Sequence, residues 1–474
     1  MAGLVLAIGA CSEGLGSINR DPNAPTDVGA QFLLPQAIRV PLDGTRMPLA
    51  HASIWSQHTA QIQYPDEEQG NVRPEAIQEF WDSFYAGPLK DIQTVLEKGR
   101  AGGQPNVEAV GLIWRTWIYS QITDLWGDVP YSEALRAEED ITTPAYDAQQ
   151  AIYTDLIQML KTAEGLLTPG GVGFGSGDIL YGNDFEKWRR FSVSLRMRLA
   201  MRLSEVAAGT AQTEFVAAYN AGGFQSNADN ATLNWPGPPY EQPLFENWTG
   251  RDDDGVSATM IDTLVSFSDP RLELYAEPAV SDGAYRGLQN NQGVPPLSIG
   301  NYSRIGNFWR ADGAGTPSPV MTYSEVLFLQ AEAAQRGWIV ASAATLYEDA
   351  IRANMNQWDP WSPANAPTDA EIDAYVLQPA VVYNAATGMA QIQLQKWFAL
   401  YMQGNEAFAN QRRIDLPALA LGPDISFRPV RFYYPAGEQS LNAANLADAV
   451  ENQMSQGDAR TLQGRVWWDV VTPP

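Results

Sequence analysis

The chain has 474 residues, with 55 Asp and Glu against 30 Lys and Arg, for a formal net charge of −25. That balance excludes a phosphate-backbone partner, which needs a basic patch, so no nucleic acid is expected. A single cysteine excludes an internal disulfide and a cysteine-based metal site. Two histidines, His51 and His58, are too few for a histidine-rich zinc centre or a conventional serine–histidine–aspartate triad. Hydrophobic content of 45% suits a folded protein, and fifteen Trp and nineteen Tyr leave some aromatics to spare for a binding surface.

Met1–Ala10 (MAGLVLAIGA) is an apolar run too short to span a bilayer, which takes about 20 residues. It reads as the residual part of a secretory signal. Ile8-Gly9-Ala10-Cys11 resembles a bacterial lipobox, so Cys11 is the expected site of acylation, an anchor that needs no spanning helix. Residues 11–25 form the anchor and tether, ending in Asp21-Pro22-Asn23, and residues 26–474 form one domain. Helical periodicity predicts a mostly α fold with a few short strands, the helices lying over about 75–206 and 319–474.

Glu75–Lys98 carries helix-spaced Phe80, Phe84, Leu89, Ile92 and Leu96. Asn106 is the expected cap of Val107–Leu125, Asp147 with Gln150 that of Ala148–Leu167, and Asp184 that of a run reaching Val206. Helices of this length in succession, joined by short polar segments, have the layout of packed TPR-like hairpins. Asp124–Tyr131 (DLWGDVPY) interrupts them with a turn, and Trp126 and Tyr131 are expected to pack between helix layers. Residues 207–318 are dense in Gly, Pro, Asn and Asp, with helix periodicity only over Ala258–Phe267, and read as an irregular insertion. Helix returns at Pro319–Trp338, capped by Thr322 and Glu325 and stopped by Gly337. Ala341–Gln357 is its partner, and Thr368 with Glu371 caps a further helix. Gln391–Pro417 is apolar on nearly every face and predicts a core helical hairpin, with Asn405 capping its second member. Phe427–Tyr434 reads as a basic-aromatic strand, followed by a helix beginning near Asn442.

QKWFALYMQGNEAFANQRR, DLWGDVPY, MTYSEVLFLQAEAAQRGW, Asp269-Pro270-Arg271-Leu272 and Arg465–Asp469 (RVWWD) occur in an order similar to that of SusD-like (SusD/RagB) nutrient-binding lipoproteins. The resemblance implies a SusD-like fold and a protein on the outer face of a Gram-negative, Bacteroidota-type outer membrane. It implies a TonB-dependent SusC-like transporter as partner, and capture of a nutrient, above all an oligosaccharide, without bond cleavage.

A sugar site needs flat aromatic platforms beside amides, carboxylates and guanidinium groups. Trp55, Gln61 and Tyr64, next to the acidic Asp66–Gln69 segment, fit that description. So do Trp235, Tyr240, Trp248 and Trp309 of the insertion, where Pro and Gly should hold them off core helices, while Trp81, Trp114, Trp188 and Trp397 belong to the core. Neighbouring acids such as Glu138–Asp140 are expected to be solvated loop faces. Arg251–Asp254 could supply oxygens to calcium but lacks the spacing of a calcium loop, so no cofactor or metal is expected. Two alternatives stay open, a peptide-binding TPR-like scaffold and an all-α glycan hydrolase with two carboxylates facing one cleft.

Overall fold

The computed structural model describes residues 27–44, 51–61, 65–250, 253–291 and 298–471. Cys11, the signal and tether, and Tyr64 lie outside the described residues.

Helix α1 (Ala30–Gly44) opens the fold despite Pro35 and Pro41 inside it. It turns Leu34, Ala37, Ile38 and Leu42 inward, one helical stripe at spacings of three and four. Short helices α2 (His51–Trp55) and α3 (Pro65–Glu68) flank strand β1 (Thr59–Gln61). The run expected over Glu75–Lys98 is two helices, α4 (Pro74–Tyr85) and α5 (Pro88–Ala101), because Gly87 breaks the first and Pro88 starts the second. Helices α6 (Pro105–Trp126), α7 (Gln149–Leu166), α8 (Phe185–Arg202) and α9 (Ala208–Ala221) follow, each packed on the one before it, as α6 packs on α5 and α5 on α1. The α5–α6 contact is close because Gly99 and Gly111 lie in it, and a Cβ on Gly99 would stand 2.5 Å from the Glu108 nitrogen.

Strand β2 (Val129–Pro130) pairs antiparallel with β3 (Tyr146–Asp147), and Trp126 and Tyr131 are buried beside them. The stretch expected to be irregular is partly ordered. After α9 come β4 (Ala231–Pro236), α10 (Pro243–Gly250), β5 (Asp254–Val256), α11 (Ala258–Ser266), α12 (Leu272–Tyr275) and α13 (Asn307–Arg310), then β6 (Ala314–Met321). The antiparallel pair β1–β5, with Gln61 opposite Asp254, ties it to the rest, and β4–β6 brings its two ends together.

Helices α14 (Tyr323–Gln335) and α15 (Ala343–Asn356) form the expected second hairpin, followed by α16 (Asp369–Val376). The core hairpin is α17 (Gly388–Ala399) and α18 (Gly404–Ile414), with Met402 at φ +72° in the corner. Asn405 lies inside α18 and does not cap it. Phe427–Tyr434, expected as a strand, joins no ladder among the described residues. Its Val430 and Phe432 amides donate instead to the Leu462 and Leu125 carbonyls, at 2.7 and 2.8 Å. Helices α19 (Ala436–Leu441) and α20 (Ala443–Gln453) finish the regular structure.

Most charged residues of the core hairpin are buried and paired, whereas both side-chain polar atoms of Asn405 are buried without a partner. Glu332 of α14 accepts both Arg413 Nη atoms at 2.7 Å and the Gln393 amide at 2.7 Å, while Lys396 donates to Asn410 at 2.8 Å. Arg198 forks onto Glu325 at 2.7 and 2.6 Å, and Arg202 reaches Glu406 at 2.6 Å. Burial alone would raise the Glu332 carboxyl, but Arg413 and Arg336 hold it down at about 2. Arg271, in the Asp269-Pro270-Arg271 motif, pairs with Asp269 and donates to Gln395 at 2.7 Å and Asn354 at 2.9 Å, clamping the 207–318 stretch onto α17 and α15.

Candidate functional site

Strand alternation decides where Trp235 goes. It shares the inward face of β4 with Ala231 and Leu233, is 1% exposed, and its indole donates to Ser318 Oγ at 2.8 Å across the β4–β6 pair. Trp309 on α13 is equally buried. It meets Trp358 edge-on with 4.8 Å between ring centroids and donates to the Leu274 carbonyl at 3.1 Å. Trp55 packs against Phe408 and Phe432 at 5.4 and 5.2 Å. All three expected platforms are core residues, because Pro and Gly keep the chain off regular helices without keeping its aromatic rings in water. Trp248 lies on α10, with its side chain outside the described residues.

Gln61 ends β1, half-buried. Its backbone N–H donates to Glu68 at 2.5 Å, and Asn291 N–H donates to the other Glu68 oxygen at 2.6 Å. The acidic segment is therefore not a solvated face as expected. Glu67 and Glu68 are buried, Glu67 pairing with His51 at 3.2 Å and with Arg73, whereas Glu138–Asp140 is exposed as expected. Burial pushes the Glu68 carboxyl up to about 7, and the Asp254 charge adds to the rise against the two backbone donors. Arg251 and Asp252 of the suggested calcium loop lie outside the described residues. Among the described residues no three His, Cys, Asp or Glu side chains group as metal ligands.

Tyr240 is placed differently. The Gly237 carbonyl accepts the Tyr240 N–H at 2.8 Å, and Gly237 closes the turn at φ +86°, a conformation that suits glycine. The turn throws the ring outward, 46% exposed, with the Arg39 guanidinium of α1 4.2 Å from its centroid. Asp43 at 3.0 Å and Gln36 at 2.9 Å fix that guanidinium. The guanidinium covers the ring on one side, and nearly half of the residue stays exposed. Beside it, Leu42, Gln242, Pro243, Trp309, Ser318 and Met402 line a small cleft of about 10 Å³, room for about one water. The arrangement offers a rigid aromatic face rimmed by amide, carboxylate and guanidinium groups. Helix α1, which carries half of it, has no counterpart among the elements expected from sequence. Its two prolines masked the Leu34–Ala37–Ile38–Leu42 stripe that would have revealed it.

No described helix is long and apolar enough to cross a membrane. Residues 22–435 match the family described as SusD-like, starch-binding associating with outer membrane. The fold is similar to that of a chitin-binding protein, with 28% identity, a TM-score of 0.82 and coverage of 94% of this chain and 100% of that one. It also resembles a chitin-binding SusD homologue from Flavobacterium johnsoniae, at 23% identity, TM-score 0.82 and coverage of 94% and 99%. A SusD homologue from Bacteroides uniformis has 23% identity, TM-score 0.80 and coverage of 94% and 100%. No curated protein matches the sequence. The chain belongs to the SusD-like family.

Proposed function

We propose that the protein is a cell-surface lipoprotein, anchored through Cys11 to the outer membrane, that captures an oligosaccharide and passes it uncleaved to a TonB-dependent SusC-like transporter. The observation that carries this reading is the similarity along 94% of the chain to a protein described as chitin-binding. The exposed Tyr240 platform supports it, since an exposed aromatic ring with fixed polar neighbours suits the apolar face and hydroxyl rim of a pyranose. Of the residues expected from sequence, Tyr240, Gln61, Tyr64 and Trp248 stay in the proposal. Burial takes Trp55, Trp235 and Trp309 out of it.

Calorimetric titration with chitin-, cellulose- and starch-derived oligosaccharides tests this function, followed by chromatography of the recovered ligand. Saturable binding of intact sugar is expected. Shortened products would establish a hydrolase instead, and binding of peptides but no sugar would establish the TPR-like scaffold reading.

A further inference from the structure

Among the described residues the large aromatics left exposed are Phe32, at 69%, and Tyr240, at 46%. Both belong to one surface. Phe32, Gln36, Arg39 and Asp43 are spaced by four, three and four along α1, so they form one stripe opposite the buried Leu34, Ala37, Ile38 and Leu42. Tyr240 sits on that stripe through its contact with Arg39.

Seven residues of helix separate Phe32 from Arg39, which is about 10 Å along the axis at 1.5 Å per residue. In an extended β-1,4-linked glycan successive rings are turned over, so every second ring shows the same face, one disaccharide further on. A first ring on Phe32 and a second held against Arg39, about that far along the helix, match such a chain, whereas an α-1,4 glucan curls. Between the platforms Gln36 and Arg39 offer donors and Gln36 an acceptor. Arg39 and Asp43 pair at 3.0 Å and cancel locally, and a net charge of −25 repels polyanionic glycans, so the fitting ligand is neutral.

We infer that the Phe32–Gln36–Arg39–Asp43 face of α1, together with Tyr240, is a binding track for an extended, neutral β-1,4-linked oligosaccharide with one sugar stacked on each aromatic ring. The inference rests on the glycan-binding function proposed above and adds its location and linkage class.

Titrations of the purified chain and its Phe32→Ala and Tyr240→Ala variants with chitohexaose, cellohexaose and maltohexaose test it. The expected result is that at least one β-linked hexasaccharide binds more tightly than maltohexaose. Each alanine variant weakens it about tenfold, and Phe32→Tyr and Tyr240→Phe, which keep a ring, restore it. Both side chains are surface-exposed, so all variants should melt with the parent, which separates lost binding from lost folding. Binding that both alanine variants leave intact overturns the track and spares the glycan function. A loss confined to one variant overturns the two-platform spacing, and maltohexaose binding equally well overturns the linkage class. No binding of any hexasaccharide by the parent chain overturns the glycan function itself, and the track with it.

Discussion

The core hairpin α17–α18 and the 207–318 stretch defy the usual equation of residue type with location in opposite ways. In the hairpin, residues that belong in water are inside: Lys396, Arg412 and Arg413 are each 1% exposed. In the 207–318 stretch, aromatic rings that seemed available to a ligand are inside as well, and Trp235 and Trp309 are as buried as Trp397. The reason is the same in both. A side chain can be buried once its polar atoms have partners, whether Glu332 for Arg413 or Ser318 for the Trp235 indole. Those partners lie 81 and 83 positions away in sequence, on elements whose pairing only the fold reveals. On α1 the logic runs backwards: Phe32 sits on a helix and remains exposed because its stripe faces away from α5.

The comparison predicts graded costs. Glu332→Leu should be the most damaging change, because it strands Arg413 and Gln393 in the core. A loss of about 3–5 kcal/mol in urea unfolding is expected for breaking one side of a buried ion pair. Trp309→Ala should cost about as much, roughly 3–5 kcal/mol as a large core cavity, while leaving sugar affinity per folded molecule unchanged. Lost affinity at unchanged stability would return Trp309 to the binding site.

His58 sharpens the comparison through pH. It is fully buried, its Nε2–H donates to the Trp397 carbonyl at 2.9 Å, and burial pulls it down to about 3 against that carbonyl. The unfolded imidazole takes a proton near pH 6.5 that the folded one refuses, so this contribution to stability falls as pH drops from 6.5 towards 3. Between pH 6.5 and 5 the loss is about 2 kcal/mol. Glu68 acts in the opposite sense, since its raised value makes stability fall as pH rises from 4.5 to about 7. The measurement is therefore a difference: His58→Gln, which keeps the donor, should gain on the parent chain by about 2 kcal/mol over that interval. A constant difference would mean that His58 titrates normally.

Gly99→Ala should cost about 1–3 kcal/mol by forcing α5 off α6, measured by thermal melting. Tyr240→Ala, at the other extreme, should alter stability by no more than about 0.5 kcal/mol.

Most of the helical scaffold was legible because capping and periodicity are local. Thr368 and Glu371 form both bonds of their capping box, and Asp184 accepts from Lys187 as expected. The exceptions show where locality ends. Glu325 leaves its box half-made because its carboxylate serves Arg198, and Asp147 caps nothing because it binds the Ser132 amide at 2.8 Å. Asn106 lies inside α6 and bridges to Thr168 at 2.8 and 3.0 Å. Family motifs proved to be fold determinants: the Gln, Lys, Glu and Arg positions of QKW…GNEA…RR are buried polar partners. Of the candidate aromatics whose side chains are described, Tyr240 alone is exposed. Its turn is local, with Gly237 and two prolines before it, whereas the burial of Trp55, Trp235 and Trp309 depends on distant neighbours.

Hydrogen–deuterium exchange of the intact chain, with and without a saturating β-1,4-linked hexasaccharide, tests the central claim most directly. The account predicts new protection in residues 30–44 and 236–242 and none around Trp309. Protection confined to residues 59–68 and 254–256 would contradict it, and would move the site to the β1–β5 edge.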